Sequence, residues 1–224
     1  MRATIELAIG GWAFAILLGI PTEVLAAVKR GTFWDYIARG VAIIGQGAPP
    51  FVIGLLLIVI FAVWLQDTPF ELPAAGRPPQ FNIKTYILPC IALGWPAAAG
   101  LMRLTRSAML EVLDSEFVKL ARAKGVGWNK VIYKHALKNA LITPLTSALL
   151  LFSGWLNGAL VIEIIFGWPG IGYDALFTAV NDNDFPLLQG TVFFFVIIFV
   201  IFALLADLLY TIIDPRVRLT GGEK

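Results

Sequence analysis

Three carboxylates, Glu23, Glu163 and Asp207, stand inside long apolar stretches of the 224-residue chain. An ionised group is expensive to desolvate there and calls for a functional or a pairing explanation. Glu23 and Asp207 lie close enough to the ends of their apolar segments to reach water, which favours pairing with nearby bases. Glu163 falls one turn before Gly167, and two readings stay open for it: lining a polar path through the apolar region, or a paired carboxylate at its edge. Other reactive groups are sparse. Cys90 is the only cysteine; beside Pro89 in an apolar run, it can form no intramolecular disulfide or cysteine metal cluster and reads as a small core residue. His135, the only histidine, reads as a structural hydrogen-bonding group. The sequence has no nucleophile paired with a base, no His-Glu-x-x-His zinc helix and no Gly-rich loop ending in Gly-Lys-Ser/Thr. Intramembrane hydrolysis, a metal site and nucleotide hydrolysis by this chain therefore all lack the residues they need.

The elements that position these groups belong in lipid. Hydrophobic residues make up 58% of the chain and charged residues 14%, against about 25% charged in soluble domains. The 17 bases and 15 acids nearly cancel, which gives a nucleic-acid partner no support. A membrane helix needs about 20 mainly apolar residues, and five segments qualify: 3–28, 41–65, 85–104, 141–166 and 187–213. Pro21, Pro49, Pro50, Pro89, Pro96 and Pro144 fall within them, so the helices should be kinked and packed against one another, where neighbours satisfy the freed backbone groups. The expected fold is all-α, a polytopic membrane helix bundle, forming a single domain over residues 1–224 with no repeat or polar linker. The first stretch carries one Arg and no small-residue cleavage site, so it reads as a retained span rather than a signal peptide.

Charge sets the expected orientation. Lys and Arg number three in 29–39, eight in 103–138 and three in 216–224, whereas the other side holds Arg2, Arg77 and Lys84. This positive-inside bias places the two longer basic connections and the C-terminus in the cytoplasm. The base-free segment 167–185, with Asp174, Asp182 and Asp184, then faces outward; Trp64 and Trp168 are expected as interfacial anchors. Within that segment, the turn at Pro169 and Gly170 and the amphipathic stretch 173–180 suit either an outer gate or a simple capping loop. Five spans ending inside force Met1 outside with nothing ahead to deliver it there, so a preceding span is expected to be missing from this chain.

The loop between the third and fourth spans, residues 105–140, is longer than a reversal of direction needs and reads as ordered. Asp114 or Ser115 can cap a helix over 116–124, and Gly125 supplies a left-handed stop. Phe117, Leu120 and Ala121 share one face at spacing i, i+3, i+4, while Lys119 and Arg122 project elsewhere. After Gly125 and Gly127 the run 129–139 is again helical in character. The periodicity suits either a basic segment lying on anionic headgroups or a knob inserted into a groove of a cytoplasmic partner.

The string EFVKLARAKG at 116–125, followed by HALKN at 135–139 and Pro144, resembles the EAA loop of binding-protein-dependent ABC importer permeases. Ala121, Gly125 and Leu137 fall at the motif's spacing. Lys119, Leu120 and Lys138 replace the general Glu, second Ala and final Pro, as the dipeptide, oligopeptide and nickel branch usually does. TIEL at 4–7, GIP at 19–21, LPAAG at 72–76, WPGIG at 168–172, and DLLY at 207–210 with DPR at 214–216 resemble the B-type member of that branch. Such permeases usually have six spans, and the first is absent here.

The resemblance implies the transmembrane domain of a type I ABC importer in a bacterial or archaeal inner membrane. It implies a second permease subunit, non-identical so that the pair is a heterodimer, together with two cytoplasmic ATPase subunits and an external binding protein. ATP and Mg would be bound by those ATPases, no cofactor or metal by this chain, and peptides are the default solute. Glu116, Phe117, Lys119, Leu120, Ala121, Arg122, Lys124 and Gly125 would form the coupling interface. His135, Leu137, Asn139 and Pro144 would pass motion into the fourth span. Glu163, Trp168, Gly170 and Gly172 are the candidates for the path or outer gate. The competing class, a self-contained secondary transporter or channel, would favour internal repeats and ion-coupling groups in broken helices, neither of which is evident.

Overall fold

The computed structural model describes residues 2–74, 76–77 and 82–213, apart from the side chains of 153–158, 206–207 and 209–213. The Asp207 side chain and the DPR string at 214–216 therefore lie outside the described residues. Helix α1 (Arg2–Val28) passes Pro21 without a break. It is followed by α2 (Phe33–Gly47), then by α3 (Pro50–Ile58), which continues as π-wound turns over Val59–Trp64. Helix α4 (Ile83–Leu113) holds Pro89 and Pro96. The basic loop contains α5 (Glu116–Ala123), α6 (Trp128–Lys130), π-wound Val131–Ala136 and α7 (Leu137–Ala140). Helix α8 (Ile142–Ile165), π-wound Gly172–Phe177, α9 (Thr178–Asn181) and α10 (Phe185–Ile213) complete the order. No strand occurs among the described residues.

Arg2–Val28, Ile83–Leu113 and Phe185–Leu205 are each long and apolar enough to cross a membrane. Helix α8, at 24 residues, extends about 36 Å at the α-helical rise. The expected span at 41–65 takes a different form. Its helix starts earlier, at Phe33, and the chain turns by 107° between α2 and α3. The cause is local: Pro49 disfavours a helical residue before it, Ala48 is extended at φ −95°, and Pro50 restarts the helix at its first position, where its missing N–H is harmless.

Helix α4 is the hub, packing on α1, α2, α3 and α8. It approaches α1 closely because both faces carry small residues, the usual device where lipid removes the hydrophobic drive between helices. A Cβ on Gly19 would lie 2.8 Å from the Ala98 carbonyl oxygen, and Gly94 sits against the Gly11 backbone. Ala3, Leu7 and Ala15 are buried with Leu88, Leu93, Ala98 and Leu101 in the main core. A second cluster at the other end joins Ile20, Val24 and Ala27 of α1 to Met109 of α4 and to Ala136 and Ala140 of the basic loop.

Candidate functional site

The basic loop begins without a break in the helix, since α4 runs on to Leu113 before the chain turns at Asp114 and Ser115. Ser115 occupies the N-cap position, but its hydroxyl donates to the Val112 carbonyl at 2.5 Å and makes no side-chain cap bond. The expected Ser or Asp cap is thus absent. The far end of α5 closes as expected. Gly125 has φ +79°, its N–H donates to the Arg122 carbonyl at 2.9 Å, and the Val126 N–H donates to the Ala121 carbonyl at 3.2 Å. These paired bonds are a Schellman stop, whose left-handed residue is usually glycine.

Helix α5 separates two apolar faces. Val118 is fully buried and packs the helix toward the segment Val131–Ala136, where Val131 and Ile132 are also buried. Phe117 and Leu120 are 45% and 56% exposed, with half-buried Ala121 on the same side. Lys119 pairs with Glu116 at 2.8 Å, and the Glu116 carboxylate holds the Lys119 ammonium above the usual lysine range. Arg122 lies over the Trp128 ring, 4.9 Å from its centroid. Lys124 is exposed. Val118 and Trp128 are contributors that the sequence reasoning missed; an apolar residue beside the expected face and an aromatic one turn beyond Gly125 were the available signals.

The second half of the loop is half-buried. The His135 carbonyl accepts from the Asn139 side-chain amide at 2.8 Å, and Leu137 packs on the cluster joining α1 and α4. Pro144 is buried in the first turn of α8, where it breaks no helical bond.

The remaining candidates meet at the opposite end of the bundle. Glu163 is fully buried, and its Oε2 accepts from the Gly172 N–H at 2.7 Å. The loop after α8 folds back over this carboxylate: a Cβ on Gly170 would overlap it, and one on Gly172 would lie 2.8 Å from Oε2. Glu163 is therefore a wrapped carboxylate that organises a loop, with no ion pair to any described base. Trp168 is 1% exposed, so it is a core residue and not the expected interfacial anchor; Trp64, at 75%, is exposed as that role requires. The Trp168 indole N–H donates to the Ala3 carbonyl at 3.1 Å, and its ring meets Tyr86 edge-on at 4.7 Å. The Tyr86 hydroxyl donates to Glu6 at 2.8 Å, Arg77 donates to Glu6 at 3.0 Å, and Thr4 Oγ1 accepts from the Ile171 N–H at 3.1 Å. The Gly76 N–H donates to the Phe166 carbonyl at 2.7 Å. The strings at 4–7, 72–76 and 168–172 thus form one junction.

A further ionic group was only half visible in the sequence. Glu23, 1% exposed, has the expected basic neighbour in Arg106, whose Nη1 is 3.7 Å away. The same guanidinium grips fully buried Asp35, through Nη1 to Oδ1 and through Nη2 to Oδ2 at 3.2 Å. Asp35 also accepts from Arg39 at 2.5 Å and from the Gly31 N–H at 2.9 Å. Two carboxylates and two guanidinium groups therefore tie α1, α2 and α4 together near the basic loop.

The fold and the family follow from comparison. The chain superposes on a crystal structure of an amino acid ABC transporter with TM-score 0.71 at 16% identity, over 94% of this chain and 90% of that one. An inward-facing structure of the MetNI methionine ABC transporter gives 0.69 at 16%, over 95% and 94%. Among sequence relatives, the dipeptide transport system permease protein DppB of Alkalihalophilus pseudofirmus is 40% identical over 242 residues, covering 97% of this chain and 72% of that protein. DppB of Escherichia coli K12 is 36% identical over 241 residues, covering 97% and 71%. Residues 15–219 match the family described as the binding-protein-dependent transport system inner membrane component. With the fold of ABC importer membrane subunits and this likeness in sequence, the chain is a member of the binding-protein-dependent transport system inner membrane component family, similar to its DppB permeases.

Proposed function

We propose that this chain, read as one permease domain over residues 1–224, is the translocation subunit of an ATP-driven importer of peptides. Its expected partners are a second, non-identical permease, two cytoplasmic ATPase subunits that bind ATP and Mg, and an external binding protein. The relatives' dipeptide transport function supports the solute class. The observation that carries the coupling role is the division of α5, where buried Val118 fixes the helix while Phe117 and Leu120 face outward, 45% and 56% exposed. A rigid apolar knob on a Schellman-terminated helix suits insertion into a groove of a partner. Glu116, Lys119, Arg122 and Lys124 would ring that knob, and Gly125 would keep its angle.

Motion of the knob would reach the spans by way of His135, Leu137, Asn139 and Pro144, because that segment packs on the ends of α1 and α4 and enters α8. The basic loop and C-terminus would lie in the cytoplasm by the positive-inside bias. Trp168, Gly170, Gly172 and Glu163 would brace the outer mouth rather than line the path. The test is co-purification of the ATPase with the full-length subunit in detergent. Ala121→Asp should abolish it and Gly125→Val should lose much of it while the subunit remains in the membrane, and a cysteine at Phe117 should crosslink to the ATPase. Full retention by both variants, with no crosslink, would overturn the coupling role.

A further inference from the structure

The turn between α1 and α2 carries a feature that the coupling role does not use. A pocket of about 290 Å³ opens there, lined by Leu25, Ala26, Lys29, Trp34, Ile37 and Met102 among others. Its walls are apolar apart from Lys29 and Thr22, whose hydroxyl is already satisfied by the Leu18 carbonyl at 2.5 Å. Helix α2, which forms one side, turns 107° away from α3. Its outward residues suit a helix at the membrane–water interface: Phe33, Trp34, Tyr36, Ile43 and Ile44 are all more than 60% exposed, and Trp and Tyr favour the headgroup level.

Charge selects the occupant. Arg39 and Arg106 are neutralised by Asp35 and Glu23 within the ionic group described above. Lys29 lines the pocket, Arg30 follows it in the chain, and both are exposed and form no ion pair with any described acid. An apolar slot beside two uncompensated bases, next to a helix whose exposed face suits the headgroup level, matches an acyl chain joined to an anionic head. We propose that the α1–α2 turn is a binding site for an anionic phospholipid, with an acyl chain in the pocket and its phosphate on Lys29 and Arg30.

The site is independent of which solute the transporter carries, and its test reads lipid rather than transport. The assembled transporter, with a photo-crosslinking amino acid in place of Ile37, is reconstituted in nanodiscs of equimolar phosphatidylglycerol and phosphatidylcholine. It is then irradiated and analysed by intact mass. The expected result is an adduct enriched in phosphatidylglycerol, with the enrichment falling about fivefold for each base removed in Lys29→Gln and Arg30→Gln. Both bases are exposed, so neither variant should disturb folding. A polypeptide adduct would assign the pocket to a neighbouring subunit. That outcome, an absent lipid adduct, or equal labelling by the two lipids that ignores both variants would overturn the proposal.

Discussion

Arg106 of α4 and Asp35 of α2, 71 positions apart in sequence, are joined by two hydrogen bonds between guanidinium and carboxylate. Asp35 is fully buried, and the second carboxylate near the same guanidinium, Glu23, is 1% exposed. Removing Arg106 therefore leaves buried Glu23 without its basic partner and leaves Asp35 to Arg39 and the Gly31 N–H. Breaking a buried pair from one side is typically worth about 3–5 kcal/mol. Arg106→Gln should lower the thermal stability of the purified subunit strongly, and Arg39→Gln, at a more exposed position, should lower it less. Unfolding followed in detergent with the two variants side by side tests this order.

The wrapped carboxylate makes a paired prediction. Gly170→Ala drives a methyl group into the Glu163 carboxylate, an overpacking expected to destabilise by about 1–3 kcal/mol. Glu163→Ala in the same chain removes the obstacle, so the double variant should lose less stability than the two single losses together. Additive losses in a double-mutant cycle would mean that the two residues do not share this space.

At Gly125 the difficulty is conformational, because a Cβ there meets nothing within 4 Å although φ is +79°. Gly125→Asn should therefore keep most of the ATPase association, since Asn tolerates the left-handed region. Gly125→Val should lose much of it, because a β-branched residue at positive φ is a true outlier. Pull-down yields for the two variants at equal membrane levels give the answer.

The helix contact between α1 and α4 allows a comparison of two glycines in helices. Gly19→Ala would place its methyl 2.8 Å from the Ala98 carbonyl oxygen, whereas Gly40 of α2 has nothing within 4 Å. Gly40→Ala should be neutral or stabilising by about 0.5–1 kcal/mol from helix propensity. Gly19→Ala should destabilise, because the α1–α4 distance would have to grow. The melting temperature should fall for Gly19→Ala and hold or rise for Gly40→Ala.

What the sequence disclosed follows from the range of each interaction. The stop at Gly125, the exposed row of Phe117, Leu120 and Ala121, and the apolar spans all depend on spacing within one helix, and periodicity reports that directly. Val118 escaped notice because an eight-residue helix with apolar groups on two sides does not say which side meets its own chain. The pairing of Asp35 with Arg106 and the burial of Trp168 against Ala3 and Tyr86 depend on helices brought together from distant parts of the chain, which no local spacing encodes. The bend after Gly47 was written in Pro49 and Pro50. A reading by hydropathy alone merges the two helices, because both sides of the bend are apolar.

Helix α4 touches every one of these places. Tyr86 in its first turn meets Trp168 of the junction, Arg106 holds the ionic group, and its last residue, Leu113, stands three positions before α5. Its 31 residues extend about 46 Å at the α-helical rise. Both of its prolines lie in the half nearer Trp168, and 97–113 contains none. Under the proposed coupling role, a push delivered through α5 would act on a stiff arm with a soft fulcrum at Pro89 and Pro96, where missing backbone hydrogen bonds let the helix flex. The arm would then swing while the end braced at Trp168 stays still, so one continuous helix would let one end of the bundle change shape independently of the other.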